Sequence, residues 1–289
     1  MAKKVTLKMR SKLVVGNWKL HGSLSANQRL LAELKAALSG MTNIDIALCL
    51  PYVYLFQAQQ LLHDSHIGWG AQNVSQFEEG AYTSCISADM VAEFGCQYTI
   101  IGHSERRALK LESNHVAAKR LMNALSAGLT PIFCVGETLE ERDSGIAENV
   151  VKNQMLNVVY GLDDAQFARA KKMHMVIAYE PVWAIGTGKN AQPEQAQKMH
   201  AFIRTLIAER DLIFAAQVRI IYGGSMTPKN AQGLLNMPDI DGGLVGRASL
   251  DASDFVAICA IAQQMDEAAL THPKTMGELV LFKQYSDLA

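Results

Sequence analysis

Two kinds of segment alternate along this chain. Short runs that are apolar at nearly every position occur at 12–17, 44–50, 67–71, 98–102, 130–136, 174–180, 218–222 and 240–245. Runs of this kind read as strands covered on both faces, as in a parallel sheet. Between them lie longer stretches whose apolar residues recur three and four apart. At 24–38 the positions Leu30, Leu31, Leu34 and Leu38 line one helical face, and the polar Asn27 interrupts the pattern early. The segments 117–127, 148–160, 193–209, 228–235 and 253–264 read the same way. Pro193 and Pro228 stand where first-turn prolines belong, with Thr227 as an N-cap.

Eight strands, each followed by a helix or helical turn, predict an α/β fold closed into a (β/α)8 barrel. An open doubly wound sheet is the rival. It would carry a glycine-rich phosphate fingerprint after its first strand, and here that strand runs into Gly16-Asn17-Trp18-Lys19. No linker or shift in composition interrupts the chain before about residue 265. The expectation is one catalytic barrel domain over 1–264, opened by a short basic extension. A C-terminal extension over 265–289 follows, as a docked helix or a flexible tail.

The chain has 289 residues and is 49% hydrophobic, too apolar for disorder. A chain of this length buries roughly three quarters of its unfolded surface and needs no covalent staples. The formal net charge of −1 gives no reason to expect nucleic acid or an anionic membrane as partner. The basic N-terminus lacks the apolar core of a signal peptide, and no apolar run approaches the ~20 residues of a membrane span. Five cysteines without a C-x-x-C pair suggest neither a disulfide framework nor a zinc site, which predicts a reducing, cytoplasmic compartment.

The chemistry gathers at the strand ends. The sixth strand ends on Glu180, followed at once by Pro181 and a mixed apolar and glycine stretch to Lys189. A carboxylate beside a candidate lid suits proton abstraction in a pocket closed to water. The first strand ends in Asn17 and Lys19, and an ammonium at a rim is a natural anion holder. The fourth ends in His103, with Ser104 and Glu105 opening a helical turn whose N-terminus disfavours an imidazolium. The remaining histidines, His200 and His21 among them, are expected to be structural. Cys134 reads as core packing and Glu137 as a supporting or ion-pairing group. Glycine turns at Tyr222-Gly223-Gly224-Ser225 and Val245-Gly246-Arg247, on the last two strands of a barrel, fit a phosphate cradle. Metal-ligand spacing and G-x-S-x-G are absent, and the sixth strand ends in glutamate where a Schiff base would need lysine. What remains is an acid–base pair, a cation and a phosphate cradle, with no cofactor or metal site.

Together these runs resemble the triosephosphate isomerase family. The match rests on Gly16-Asn17-Trp18-Lys19, Ala71-Gln72-Asn73-Val74, Gly80-Ala81-Tyr82-Thr83, Ile101-Gly102-His103-Ser104-Glu105-Arg106, Cys134-Val135-Gly136-Glu137, the stretch 178–189, Tyr222-Gly223-Gly224-Ser225 and Leu244-Val245-Gly246. The resemblance implies a TIM barrel that interconverts dihydroxyacetone phosphate and glyceraldehyde 3-phosphate. It implies Glu180 as the base, His103 as the neutral electrophile, Lys19 as the charge stabiliser, and Asn17 and Glu105 as orienting groups. Trp18, Gly186, Ser225, Gly246 and the backbone of Arg247 would join the substrate and phosphate site. The lid would comprise Pro181, Val182, Trp183, Ala184, Ile185, Gly186, Thr187, Gly188 and Lys189, latched by Tyr222 and Ser225. A homodimer would form through loop 73–85, from Asn73 to Cys85.

Three departures stand out. The family usually has a second glycine where Arg247 stands; its guanidinium is expected at the rim, and Arg247→Gly is expected to change KM little. Ser84 and Cys85 replace a glycine and a glutamate that would pair with Arg106 across the dimer. Asn190 replaces a threonine at the trailing hinge of the lid. The residues taken alone leave open another phosphosugar isomerase or a catalytically silent phosphometabolite-binding barrel. A pure binder, however, has no need of the Lys19, His103, Glu180 set.

Overall fold

The apolar runs become eight parallel strands: β1 (Leu13–Asn17), β2 (Asp45–Leu50), β3 (Gly68–Ala71), β4 (Tyr98–Ile101), β5 (Thr130–Val135), β6 (Val176–Tyr179), β7 (Arg219–Tyr222) and β8 (Gly242–Val245). The structure, a computed structural model, describes residues 10–156, 160–186 and 191–271. Thr187, Gly188, Lys189 and Asn190 therefore lie outside the described residues, as do 1–9 and 272–289. The strands follow in chain order around a closed barrel, and β8 pairs back onto β1 with Leu13 opposite Gly242 and Gly16 opposite Val245.

Alternation along each strand builds two cores. Leu13, Val15, Ala47, Ile132, Cys134 and Val176 fill the barrel interior, whereas Val14, Ile46, Phe133 and Ile177 face the surrounding helices. Cys134 is thus small interior packing, as expected, and burial pushes its thiol well above the ordinary range.

The helices at Leu24–Leu38, Pro193–Ala208 and Pro228–Leu235 stand where periodicity places them. Four details differ. Asn27 belongs to the buried face, with Leu31, Leu34 and Leu38, because its amide donates to Gln57 Oε1 at 3.2 Å and its own oxygen accepts from Ser23 N. Ser113 caps a helix that begins at Asn114, three residues early, through a bond from Val116 N. The helix expected over 148–160 runs Ala147–Met155, with 157–159 outside the described residues. The final helix runs unbroken over Ala252–Thr271, so the boundary at 264/265 falls inside one element. Helix-forming Met265, Glu267, Ala268 and Ala269 carry it past that point. The short helices Leu55–Leu62, Ala88–Glu93, Leu139–Asp143, Asp164–Lys172 and Leu212–Gln217 were too brief for a periodic signal.

At the amino ends of the strands, charges are paired. Asp241 accepts from Arg10 Nε at 2.7 Å, Arg204 Nη2 at 2.7 Å and Ile220 N at 2.9 Å. Arg204 Nε also reaches Asp239 Oδ1 at 2.6 Å. Lys12 ties in the final helix, since its backbone N–H donates to Asp266 Oδ2 at 2.9 Å while its Nζ donates to Ile240 O at 2.6 Å.

Candidate active site

At the carboxyl ends, the turn after β6 presents Glu180. Its backbone N–H still belongs to the barrel, donating to Val135 O at 2.7 Å. Two glycines make room for it. A Cβ at Gly136 would lie 1.7 Å from Glu180 O, and one at Gly223 would lie 2.8 Å from Glu180 Cγ. The carboxylate is 1% exposed and accepts one aligned hydrogen bond, from Ser104 N to Oε2 at 2.8 Å. Oε1 lies 2.9 Å from His103 Nε2 but off the line a hydrogen bond requires, so that buried oxygen has no donor.

His103 caps the helix Ser104–Lys110, and its Nδ1 accepts from Glu105 N at 3.2 Å. That contact assigns the ring proton to Nε2, the nitrogen nearest Glu180. Burial raises the carboxyl pKa of Glu180, but His103, the Ser104 N–H and Lys19 outweigh it, so the group stays below its usual range and ionised. Burial lowers the pKa of His103, and the adjacent carboxylate more than offsets this.

Lys19 follows β1 with φ of 53°, in the left-handed region that a side chain disfavours. Two bonds hold it there: Lys19 N donates to Asn17 Oδ1 at 3.1 Å, and Gln72 Nε2 donates to Lys19 O at 2.9 Å. Strain of this kind persists where neighbours over-determine it. Lys19 Nζ lies 2.5 Å from Glu105 Oε1. Glu105 thus braces both Lys19 and, through its N–H, the His103 ring.

A cavity of about 440 Å³ opens between β1, β6, β7 and β8. Asn17, Lys19, His103, Gly186, Ser225, Gly246 and Arg247 border it, as does His21, which was expected to be structural. Trp18 borders it too, but its side chain is 1% exposed and packs in the outer core, so it can meet a ligand only through its backbone. Glu180 does not line the cavity: its carboxylate is parked against Ser104, beneath the rim. Gln72 and the Ser104 N–H are positioning groups that sequence reasoning assigned no role. A polar residue just past β3 was the available signal for Gln72.

The leading half of the expected lid is pinned to the body. Trp183 Nε1 donates to Glu137 Oε1 at 2.8 Å, and the Arg142 guanidinium lies 4.9 Å from the Trp183 ring centre. Glu137 also receives Arg142 Nη1 at 2.8 Å and Tyr179 OH at 3.1 Å, which makes it the ion-pairing group expected. Ser225 grips Ala184 O with both its N–H at 3.2 Å and its hydroxyl at 2.9 Å. Tyr222 OH is buried, and burial pushes it up to about 12, only partly opposed by the Ala191 backbone. Arg106, which lacks the expected carboxylate in loop 73–85, finds Glu112 Oε2 within its own chain at 2.7 Å. Among the described residues, no cluster of three His, Cys, Asp or Glu side chains is arranged to hold a metal ion.

The fold and the site define a (β/α)8 barrel whose carboxyl mouth brings a Glu180–His103 contact beside a cavity bordered by Lys19 and Arg247. The profile described as "Triosephosphate isomerase" matches residues 12–262. A protein of that name from Thiobacillus denitrificans is 56% identical over 254 residues, covering 88% of this chain and 99% of its own. Those from Herminiimonas arsenicoxydans and Dechloromonas aromatica are 52% and 50% identical over the same share of this chain and 100% of theirs. The chain belongs to the triosephosphate isomerase family.

Proposed function

We propose that this protein interconverts dihydroxyacetone phosphate and D-glyceraldehyde 3-phosphate, with Glu180 as the base. Family membership supports the reaction, and one geometric feature supports the residue roles. The ionised Glu180 carboxylate keeps one buried oxygen without an aligned donor, in contact at 2.9 Å with a ring nitrogen that carries a proton. Glu112 and Glu137 also keep an open buried oxygen, but each is ion-paired to an arginine, whereas Glu180 faces an imidazole at the cavity mouth.

In the proposed reaction Glu180 leaves the Ser104 N–H, turns through the space beside Gly223 and takes a proton from the carbon next to the substrate carbonyl. The electron pair moves onto the carbonyl oxygen as an enediolate. His103 Nε2–H and Lys19 Nζ face that charge, in a site where exclusion of water strengthens both. The hydroxyl proton of the neighbouring carbon then passes to the former carbonyl oxygen, with His103 Nε2 as the group that relays it, and the proton held by Glu180 is delivered to that neighbouring carbon as its oxygen becomes the new carbonyl. Asn17 and Glu105 hold Lys19 and His103 in place. Ser225, Gly246, Gly186 and the Arg247 backbone border the pocket end that would take the phosphate. Lid closure over the substrate would release Ser225 from Ala184.

Turnover in heavy water tests this, because a proton held by Glu180 exchanges with solvent. Deuterium should enter the substrate carbon, and Glu180→Asp, which draws the carboxylate back by one methylene, should slow turnover about 100-fold. Unlabelled product at full turnover would remove Glu180 from this role.

The same reading extends to assembly as a homodimer through loop 73–85. The segments after the first four strands expose Leu20, Val53, Tyr82, Leu109 and Leu111, and loop 73–85 is pre-shaped by stacking of Phe77 on Tyr82 at 3.7 Å. Buried Glu112 Oε1 also lacks a donor. Light scattering on a dilute sample should return twice the 31.6 kDa chain mass; the single-chain mass would refute the dimer. No helix among the described residues is long and apolar enough to cross a membrane. All five cysteines are free, which fits a reducing, cytoplasmic setting.

A further inference from the structure

We propose that Arg247 is an outer capture group for the substrate's phosphate dianion, acting through its charge on entry and retention and taking no part in proton transfer. The inference rests on the reading of the pocket as a triose phosphate site.

Arg247 opens the 3₁₀ turn Arg247–Leu250 directly after Gly246. A Cβ at Gly246 would lie 3.5 Å from Lys19 Cε, so the residue before Arg247 sits against Lys19, and both basic residues border the cavity. The Arg247 side chain is exposed and borders that cavity. It is also unpaired. Among the described residues, every arginine except Arg29 and Arg247 has a hydrogen-bond or ion-pair partner: Arg10, Arg106, Arg107, Arg120, Arg142, Arg169, Arg204, Arg210 and Arg219 all do. Lys19, the other strong cation at the cavity, is already matched by Glu105 at 2.5 Å. Asp254 is the one carboxylate residue bordering the cavity among the described residues, and it makes no ion pair with Arg247. Among the described residues, Arg247 is thus the unpaired strong cation bordering a site for a doubly negative ligand.

Charge at this distance has a definite size. A unit cation about 8 Å from a dianion through water gains roughly a fivefold preference at low ionic strength. Most of that is screened once the Debye length falls below the separation, near 0.15 M salt. The side chain therefore changes KM little under ordinary salt, as the sequence suggested, and its contribution emerges in dilute buffer.

The test measures kcat and KM for glyceraldehyde 3-phosphate, and competitive inhibition by inorganic phosphate, at about 0.01 M and about 0.3 M ionic strength. Arg247→Gln keeps the backbone N–H and removes the charge. It should raise KM and the phosphate inhibition constant about fivefold in dilute buffer, leave kcat within about twofold, and converge on wild type at high salt. Arg247→Lys should restore most of the loss, and Arg247→Glu should deepen it. Equal constants for wild type and Arg247→Gln in dilute buffer would overturn the proposal. So would a tenfold fall in KM, which would mean that the side chain obstructs phosphate, or a loss confined to kcat. If wild type neither isomerises the substrate nor is inhibited by phosphate, the reading of the site falls with it. If wild type does both and Arg247→Gln matches it, only the role of Arg247 falls.

Discussion

Asp241 at the floor of the barrel and Glu180 at its mouth are both almost wholly buried, 3% and 1% exposed. Their surroundings are opposite. Asp241 has guanidinium groups on both oxygens and a backbone N–H besides. Glu180 has one aligned N–H on one oxygen and none on the other. A carboxylate with both oxygens engaged is held in place; one with an open oxygen, held by a single aligned bond, is free to move and to take a proton. The same contrast runs through the neighbours. Lys12 and Arg204 are tied to the floor on several sides, whereas Arg247 at the mouth has no partner among the described residues and Lys19 keeps a strained backbone.

The sharpest way to break the comparison is to neutralise each carboxylate in turn. Glu180→Gln should lower kcat by a factor of roughly 10²–10⁴ with little change in melting temperature. Asp241→Asn should remove about 3–5 kcal/mol of stability, because two guanidinium groups lose their common partner. The folded fraction should keep its kcat. Denaturant titration beside steady-state kinetics checks both, and exchanged phenotypes would dissolve the contrast.

His200 marks where the floor is less complete. Its Nδ1 lies 3.1 Å from Asp239 O, next to the Arg204–Asp241 network, and its Nε2 is buried without a partner. Burial, only partly opposed by that carbonyl and by Asp241, pushes its pKa down from 6.5 to about 4. The unfolded chain therefore binds a proton that the folded one refuses. Stability from this group is intact above pH 6.5 and declines as the pH falls toward 4, by about 3 kcal/mol in all. Thermal melts across that window should show a drop that His200→Gln flattens. An unchanged slope would place the acid sensitivity elsewhere.

The smallest effect concerns the final helix. Asp266→Ala leaves the Lys12 N–H without its acceptor and should cost about 1–2 kcal/mol with no effect on kcat or KM. No change in denaturation midpoint would make that contact incidental.

The mouth was more legible in the sequence than the floor. Glu180, His103 and Lys19 are polar residues that end apolar strands, and their place in the chain marks them. Arg10, Arg204 and Asp241 look like ordinary surface charges in one dimension. They are joined by the fold across 231 and 37 positions, and no local pattern carries that. Asn27 misled for the same reason, because its partner Gln57 sits on another helix. The parked position of Glu180 was also illegible, since residue order places a side chain at a strand tip but does not set its rotamer. The strands themselves were plain because burial on both faces leaves continuous apolar runs.

The bond from Lys12 to Asp266 joins positions 254 residues apart, alongside the pairing of β1 with β8. A ribosome adding 5–20 residues per second needs roughly 10–50 s to make that much chain. For that interval β1 waits with one edge unpaired, open to the strands of other nascent chains. This protein should therefore be most vulnerable to aggregation while it is being synthesised, and most dependent on chaperones just before its last helix emerges.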